Sequence, residues 1–405
     1  MRPNYAKLVK LYEGRPLAEA ESLVREALGY DMAGRRVRER QYRPEDFDLG
    51  ALFCETFGWN EFYACRQHGR LVSQVLEAAG ATSSASFASI TGQWTYSAVM
   101  DAYQAEEYVF KRLIPEKQSQ FIDQEKIAGI SQLGDMALVV PEAQDFPLAG
   151  PGQTWISWPE AQKRGLRVAL TREMIFRDRT NVLLERCGAV GEWMGTSREK
   201  RAIDAVIDEG PGATSLPTGH RYRWRDQTLP TYGDNSGTHS WDNLAATNAL
   251  TDWTSVDTAE QLLNQMVDPD TGEPIMADYN SLIVTKQLEK TALRVLNATE
   301  VRVTIPGFAT SQSPMQTAVA NPYAGKFQVI STRLLRARMS LATSWYFGNI
   351  ARAIIYKQIF PLQVIEAPAN SLDEFKTDIV RQWRADEMGA YGVVEPRYLC
   401  KSTVA

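Results

Sequence analysis

RVALTREMIFRDRTNVLLERCGAVGEWMGTSREKRAIDAVID, residues 167–208, carries two periodicities end to end. From Leu166 to Thr171 apolar and other residues alternate at period two, the mark of a strand with one buried face. From about Thr180 to Asp208 the pattern turns helical. Leu183, Cys187, Val190, Met194, Ile203 and Val206 fall on one stripe, and Arg179, Glu185, Glu192, Arg198, Lys200 and Asp204 take the opposite face. At 1.5 Å per residue this helix is a rod of roughly 40 Å. Asp178 or Thr180 supplies its N-cap, and Gly210, Pro211 and Gly212 stop it.

Upstream, Met136, Leu138 and Val140 alternate with Ala137 and Val139, and Pro141, Pro147, Gly150, Pro151 and Gly152 then punctuate a loop. A second arm opens at Trp155, Ile156 and Trp158, so Gly134 to Thr171 reads as a long two-stranded excursion. A ribbon of two strands buries little by itself. Trp155 and Trp158, read as exposed near its tip, therefore point to contact with a neighbouring chain.

Before the ribbon, Leu8, Leu11, Leu17, Ala20, Leu23 and Ala27 predict an amphipathic helix from Tyr5 to about Leu28, interrupted at Gly14 and Pro16 and ended by Gly29 and Gly34. The basic run Arg35, Arg36, Arg38, Arg40 and Arg43 follows; its plainest reading is a solvated, salt-bridged face. Phe53 to Glu116 reads as mostly helical, with Gly80 to Ser89, rich in small residues, as a linker.

Beyond the long helix, Gly212 to Trp253 reads as extended loop. It leads to a short helix from Thr258 to Val267 begun by Asp257, a tight turn at Asp268 to Gly272, a buried strand at Ser281 to Thr285 and a helix from Gln287 to Leu296. Ile305 to Phe327 again reads as loop. Strands are expected at Phe327–Ile330, Trp345–Phe347, Ala353–Tyr356 and Leu362–Ile365, then at Phe375–Trp383, with Tyr391–Cys400 returning as its partner through a turn near Met388 and Gly389. This order predicts a mixed α/β unit.

The 405 residues exceed one minimal core, so two or three packed units are expected. A net charge of −5 argues against a surface devoted to gripping nucleic acid, though it leaves room for a local basic patch. Cys54, Cys65, Cys187 and Cys400 lack CxxC spacing and read as reduced thiols. No apolar run approaches the roughly 20 residues that span a bilayer, so the expectation is a cytoplasmic product. The start at Met1 carries the expectation that no propeptide is removed.

Catalytic spacing is missing. His68, His220 and His239 have no second ligand at i, i+4 spacing, and in the nearest cluster, Cys54, Cys65 and His68, Cys54 to Cys65 is too wide for a zinc knuckle. Asp268, Asp270 and Gly272 lack the remaining ligands of a calcium loop. No GxSxG, GxxxxGK[ST] or GxGxxG occurs.

Several segments in this order resemble the major capsid proteins of tailed bacteriophages with the Hong Kong 97 fold, particularly the Mu-like head subunits. Val140-Pro141-Glu142-Ala143 through Thr171-Arg172-Glu173-Met174 to Asp178 looks like that family's extended loop and its switch into the spine helix. Leu262-Leu263, Asp268-Pro269-Asp270-Thr271-Gly272, Leu282-Ile283-Val284-Thr285 and Leu288-Glu289-Lys290-Thr291-Ala292 resemble its axial domain, where a proline usually stands in place of Thr285. Asn321-Pro322 to Ile330 and Phe375 to Lys401 complete a likeness covering roughly Leu138 to Thr403.

The resemblance implies an α+β chain with an amino-terminal arm and helical extension (1–118), an extended loop (119–175), a peripheral domain with a spine helix (176–212) and closing strands (366–405), and an axial domain (213–365). It implies a virion subunit assembled in the host cytoplasm, joining copies of itself as pentamers and hexamers. The shell would enclose double-stranded DNA without sequence-specific binding, with a portal and scaffold or decoration proteins as further partners. No catalysis, cofactor, metal or membrane is implied. Trp155, Trp158, Lys163 and Arg164 are the expected contacts with an adjacent subunit, and Arg35, Arg36, Arg38 and Arg40 candidates for meeting DNA or a scaffold. No position matches a motif for the lysine–asparagine cross-link of some relatives. An encapsulin-type nanocompartment shell, or another virion component, is the competing reading.

Overall fold

The computed structural model describes residues 3–12, 15–31, 36–37, 40–68, 75, 81–105, 108–128, 155–171, 180–208, 222–224, 227–233, 241–268, 272–275, 278–305, 315–367 and 379–403. Its helices are α1 (Tyr5–Lys10), α2 (Leu17–Ala27), α3 (Leu49–Phe57), α4 (Trp59–His68), α5 (Ala81–Tyr103), α6 (Phe110–Leu113), α7 (Thr180–Ile207), α8 (Trp253–Asn264), α9 (Glu289–Asn297), α10 (Arg333–Arg338) and α11 (Ile350–Ala353). The strands are β1 (Glu116–Gln118), β2 (Glu125–Ala128), β3 (Trp155–Trp158), β4 (Gln162–Thr171), β5 (Tyr222–Trp224), β6 (Gln227–Leu229), β7 (Leu244–Ala245), β8 (Ser281–Thr285), β9 (Glu300–Ile305), β10 (Met315–Ala320), β11 (Gln328–Thr332), β12 (Trp345–Gly348), β13 (Ile354–Glu366), β14 (Ile379–Val393) and β15 (Leu399–Ser402). The chain divides into two compact units, and α7, β13 and β14 each run from one into the other.

The first unit comprises Met1–Tyr108, Lys163–Ser197 and Phe360–Met388. Ala20, Val24 and Leu28, four residues apart, bury one face of α2, and Gly29 follows with φ +90°, the left-handed turn that lets the last carbonyls close on Gly29 and Tyr30 N–H. These residues join Phe53, Phe87, Trp94 and Val99 in one core with Cys187, Val190 and Met194 of α7, Leu362 of β13 and Trp383 of β14. The amino-terminal helices are thus part of the core.

The Gly80–Ser89 linker expectation is corrected, since α5 begins at Ala81. Small polar residues remain helical here because their hydroxyls have partners. Thr91 and Thr95 donate to the carbonyls four residues back, at 2.8 and 2.9 Å, and Ser89 bonds Tyr12 and Glu21 at 2.9 Å each.

The second unit comprises Val109–Gln162, Arg198–Ile359 and Gly389–Ala405. Its largest sheet has the order β11-β8-β12-β15-β7, with β8 parallel to β11 and antiparallel to β12. Every residue of β8 is buried, as its unbroken Leu282-Ile283-Val284 predicts for a central strand. Trp345, Tyr346 and Phe347 of β12 and Ile203 and Val206 of α7 complete the same core.

The long helix forms as read, but its expected wet face does not hold throughout. Arg198 and Asp204 are buried, Arg198 in an ion pair with Glu116 and Asp204 with Arg338. The signal was present in Ala202, Ile203, Ala205, Val206 and Ile207, which make the second half of α7 apolar on nearly every side. The residues expected to stop the helix, Gly210 to Gly212, and the N-cap candidate Asp178 lie outside the described residues, as does the first arm of the ribbon.

The second arm divides differently from expectation. β3 pairs antiparallel with β2 and β5, while β4 ends the order β1-β13-β14-β4. No turn occurs at Met388 and Gly389, because β14 continues through them. Gly389 is needed for close approach: a Cβ there would overlap the Tyr356 hydroxyl and the Lys357 carbonyl. The expected return strand is the short β15, which pairs with β12 and β7. Within stretches read as loop stand the hairpin β5–β6 and the strand β10, which pairs antiparallel with β9. The helix expected from Thr258 begins at Trp253, where Asp252 accepts from Thr254 N at 3.0 Å.

Candidate functional site

Trp158 is corrected from exposed to buried, with 1% of its surface accessible. In register it stands opposite Glu125, under the ammonium groups of Lys117 and Lys357, 5.4 and 6.0 Å from the ring centroid. Gly392 makes room for it, since a Cβ there would press into the indole. Trp155 is half-buried beneath Lys126, 4.5 Å from its ring. Both tryptophans are thus engaged within their own chain.

Lys163 and Arg164 lie on β4, the outer strand of its sheet among the described residues. An outer strand leaves backbone groups open to pairing. Lys163 is half-exposed and reaches the buried Asp386 at 2.9 Å, with Arg384 3.5 Å from the same carboxylate. A Cβ on Gly165 would overlap the Ala385 carbonyl, so β4 can lie this close to β14 only with glycine there. Leu166 remains exposed beside them.

Of the basic run, Arg35 and Arg38 lie outside the described residues. Arg40 is held by Asp101, by the Leu28 carbonyl at 3.0 Å and by Ser97 at 3.2 Å, and Tyr30 donates to the same aspartate at 2.5 Å. Arg36 lies 3.5 Å from Asp101 with its guanidinium largely in solvent. For this pair the salt-bridged reading describes the geometry.

Sequence reasoning missed four buried polar residues. Glu199, on α7, accepts from the backbone N–H of Val109, Phe110 and Lys111 at 3.0, 3.0 and 2.9 Å, capping α6 from another segment. Burial holds its carboxyl above the ordinary range despite those bonds. Asn243 accepts from Gly233 N at 2.8 Å and donates to the carbonyls of Thr231, Pro396 and Leu399 at 2.9–3.0 Å. Arg397 and Glu395 form a buried two-point pair at 2.6 and 2.8 Å. Glu199 and Asn243 tie distant segments together, as does Arg397 by donating to the Val267 carbonyl at 3.1 Å.

Among the described residues no group of three or more His, Cys, Asp or Glu could hold a metal ion. Burial pushes the Cys187 and Cys400 thiols up to about 12, so both are protonated at neutral pH. No helix among the described residues is long and apolar enough to cross a membrane.

A family model described as phage capsid protein matches residues 158–402, more than half of the chain. No curated protein matches. Similar solved structures include the virus-like particle from Pyrococcus furiosus, with 7% identity over 76% of this chain and 96% of that one and a TM-score of 0.38. The capsid of the native GTA particle has 13% identity over 74% and 91%, with a TM-score of 0.41. Gordonia phage Cozz has 11% identity over 74% and 87%, with a TM-score of 0.40. With β4, α7, the five-stranded sheet and the closing β15 all inside the matched span, this chain belongs to the phage capsid protein family.

Proposed function

We propose that this chain is the shell-building head subunit of a tailed bacteriophage or prophage, folded in the Hong Kong 97 manner. Copies gather as pentamers and hexamers and close an icosahedral shell around double-stranded DNA, assembled in the host cytoplasm and carried in the virion. A portal and scaffold or decoration proteins complete the head. The family match over residues 158–402 carries this reading.

Within it, 213–365 act as the axial domain, 176–212 with 366–405 as the peripheral domain, and 119–175 as the loop laid over a neighbour. Lys163 and Arg164 on the outer strand β4, together with the half-buried Trp155, are the contacts we assign to that neighbour. Expressing the full chain and viewing the product by negative stain tests the proposal. Closed shells are expected; rings or tubes would contradict it, and shells that copurify with an enzyme cargo would favour a nanocompartment.

A further inference from the structure

The charge of this acidic chain is unevenly spread. Lys286 to Arg352 holds nine lysines and arginines against two glutamates, although the whole chain carries −5. Part of that excess lies on the segments that follow two neighbouring strands of the second unit. Parallel β8 and β11 end in register at Thr285 and Thr332, so the next residues, Lys286 and Arg333, leave the sheet side by side. Lys290 and Arg294 stand at four-residue spacing on α9, with Lys286 in the turn just before it, and Arg333 and Arg336 at three-residue spacing on α10. Four helical residues span about 6 Å, so the two charges of α9 stand within reach of successive phosphates of a duplex, which carries a charge about every 1.7 Å of axis.

All five side chains are exposed. Glu289 is bonded to Lys286 at 2.7 Å and to Ser331 at 2.6 Å, and Lys290 stands within electrostatic reach of the same carboxylate. Among the described residues Lys290, Arg294 and Arg333 form no ion pair, and Arg336 bonds only the Met339 carbonyl, at 3.1 Å. Cations left without carboxylates on an otherwise acidic chain suit a polyanion. We infer that the surface formed by Lys286, Lys290, Arg294, Arg333 and Arg336 binds the phosphate backbone of double-stranded DNA without reading its sequence. The inference rests on the proposed DNA-enclosing shell and names the surface that faces the content.

The test uses the full chain and a fluorescent mixed-sequence DNA duplex, with affinity measured by anisotropy across a salt series. Lys290→Glu with Arg333→Glu is compared with Lys7→Glu and Lys10→Glu, an equal charge change on exposed residues of the first unit. Unfolding midpoints show whether each pair folds as the wild type does. The expected result is a loss of tenfold or more in affinity for the first pair alone, with the logarithmic salt slope shallower by about two. Equal losses in both pairs, or no loss in either, would overturn the inference. So would a first pair that blocks shell formation while duplex affinity stays unchanged, because the surface would then meet an acidic face of a second copy. Should wild-type chains form no closed shells, the proposed function fails, whatever the duplex result.

Discussion

Gly191 of α7 lies against the carbonyl oxygen of Val99 on α5, so closely that a Cβ at position 191 would overlap it. One turn on, Gly195 gives the same room to the ring of Tyr108, whose hydroxyl donates to the Glu192 carbonyl at 3.1 Å. These glycines let the amino-terminal helices seat on the long helix.

Gly191→Ala should therefore destabilise the subunit by about 1–3 kcal/mol, because a backbone carbonyl cannot move aside as a flexible side chain can. Gly188→Ala is the internal control. Nothing lies within 4 Å of a Cβ there, and replacing a helical glycine should stabilise by about 0.5–1 kcal/mol. Denaturant unfolding of the two variants should shift in opposite directions.

Glu199→Ala should cost about 3 kcal/mol by leaving three backbone N–H groups of α6 without their acceptor. The pH dependence has a definite sign. Burial raises the carboxyl in the folded state above its ordinary 4.5. Its stabilising contribution is therefore complete below that value and is lost as pH rises through the folded-state pKa. Glu199→Gln, with nothing to titrate, should show a flatter stability curve over that window in urea titrations at stepped pH.

Trp158→Ala and Leu166→Glu should separate folding from assembly. Removing the buried indole should cost about 3–5 kcal/mol in dissociated subunits. Leu166 is exposed on β4, so a charge there should leave subunit unfolding within about 0.5 kcal/mol of wild type while lowering shell yield. Equal shell yields for Leu166→Glu and wild type would remove β4 from the contacts assigned to a neighbour.

Asn243→Ala should cost about 3 kcal/mol, since it strands the Gly233 N–H and deprives three carbonyls of a donor. Hydrogen exchange should show faster exchange at Gly233 in the variant.

Elements whose pattern depends on one environment could be read in advance. β8 is buried on both sides and reads as an unbroken apolar run, and α7 keeps a single stripe over its first half. Readings failed where one residue type serves two purposes. Gly389 reads as a turn but provides space for Tyr356, and Trp158 reads as a surface aromatic until Lys117, Lys357 and Gly392 are seen around it. Those partners come from separate segments, and spacing along the chain carries no trace of them. Among the candidate contacts, Lys163 was found as an exposed cation, but its ion pair with Asp386 needed the pairing of β4 with β14.

The most direct test of the central claim is an electron-microscopy reconstruction of particles formed by the full-length chain. The account predicts a closed icosahedral shell with pentamers at the vertices and hexamers between them. Helical tubes, stacked rings or chains that stay monomeric at assembly concentrations would contradict it.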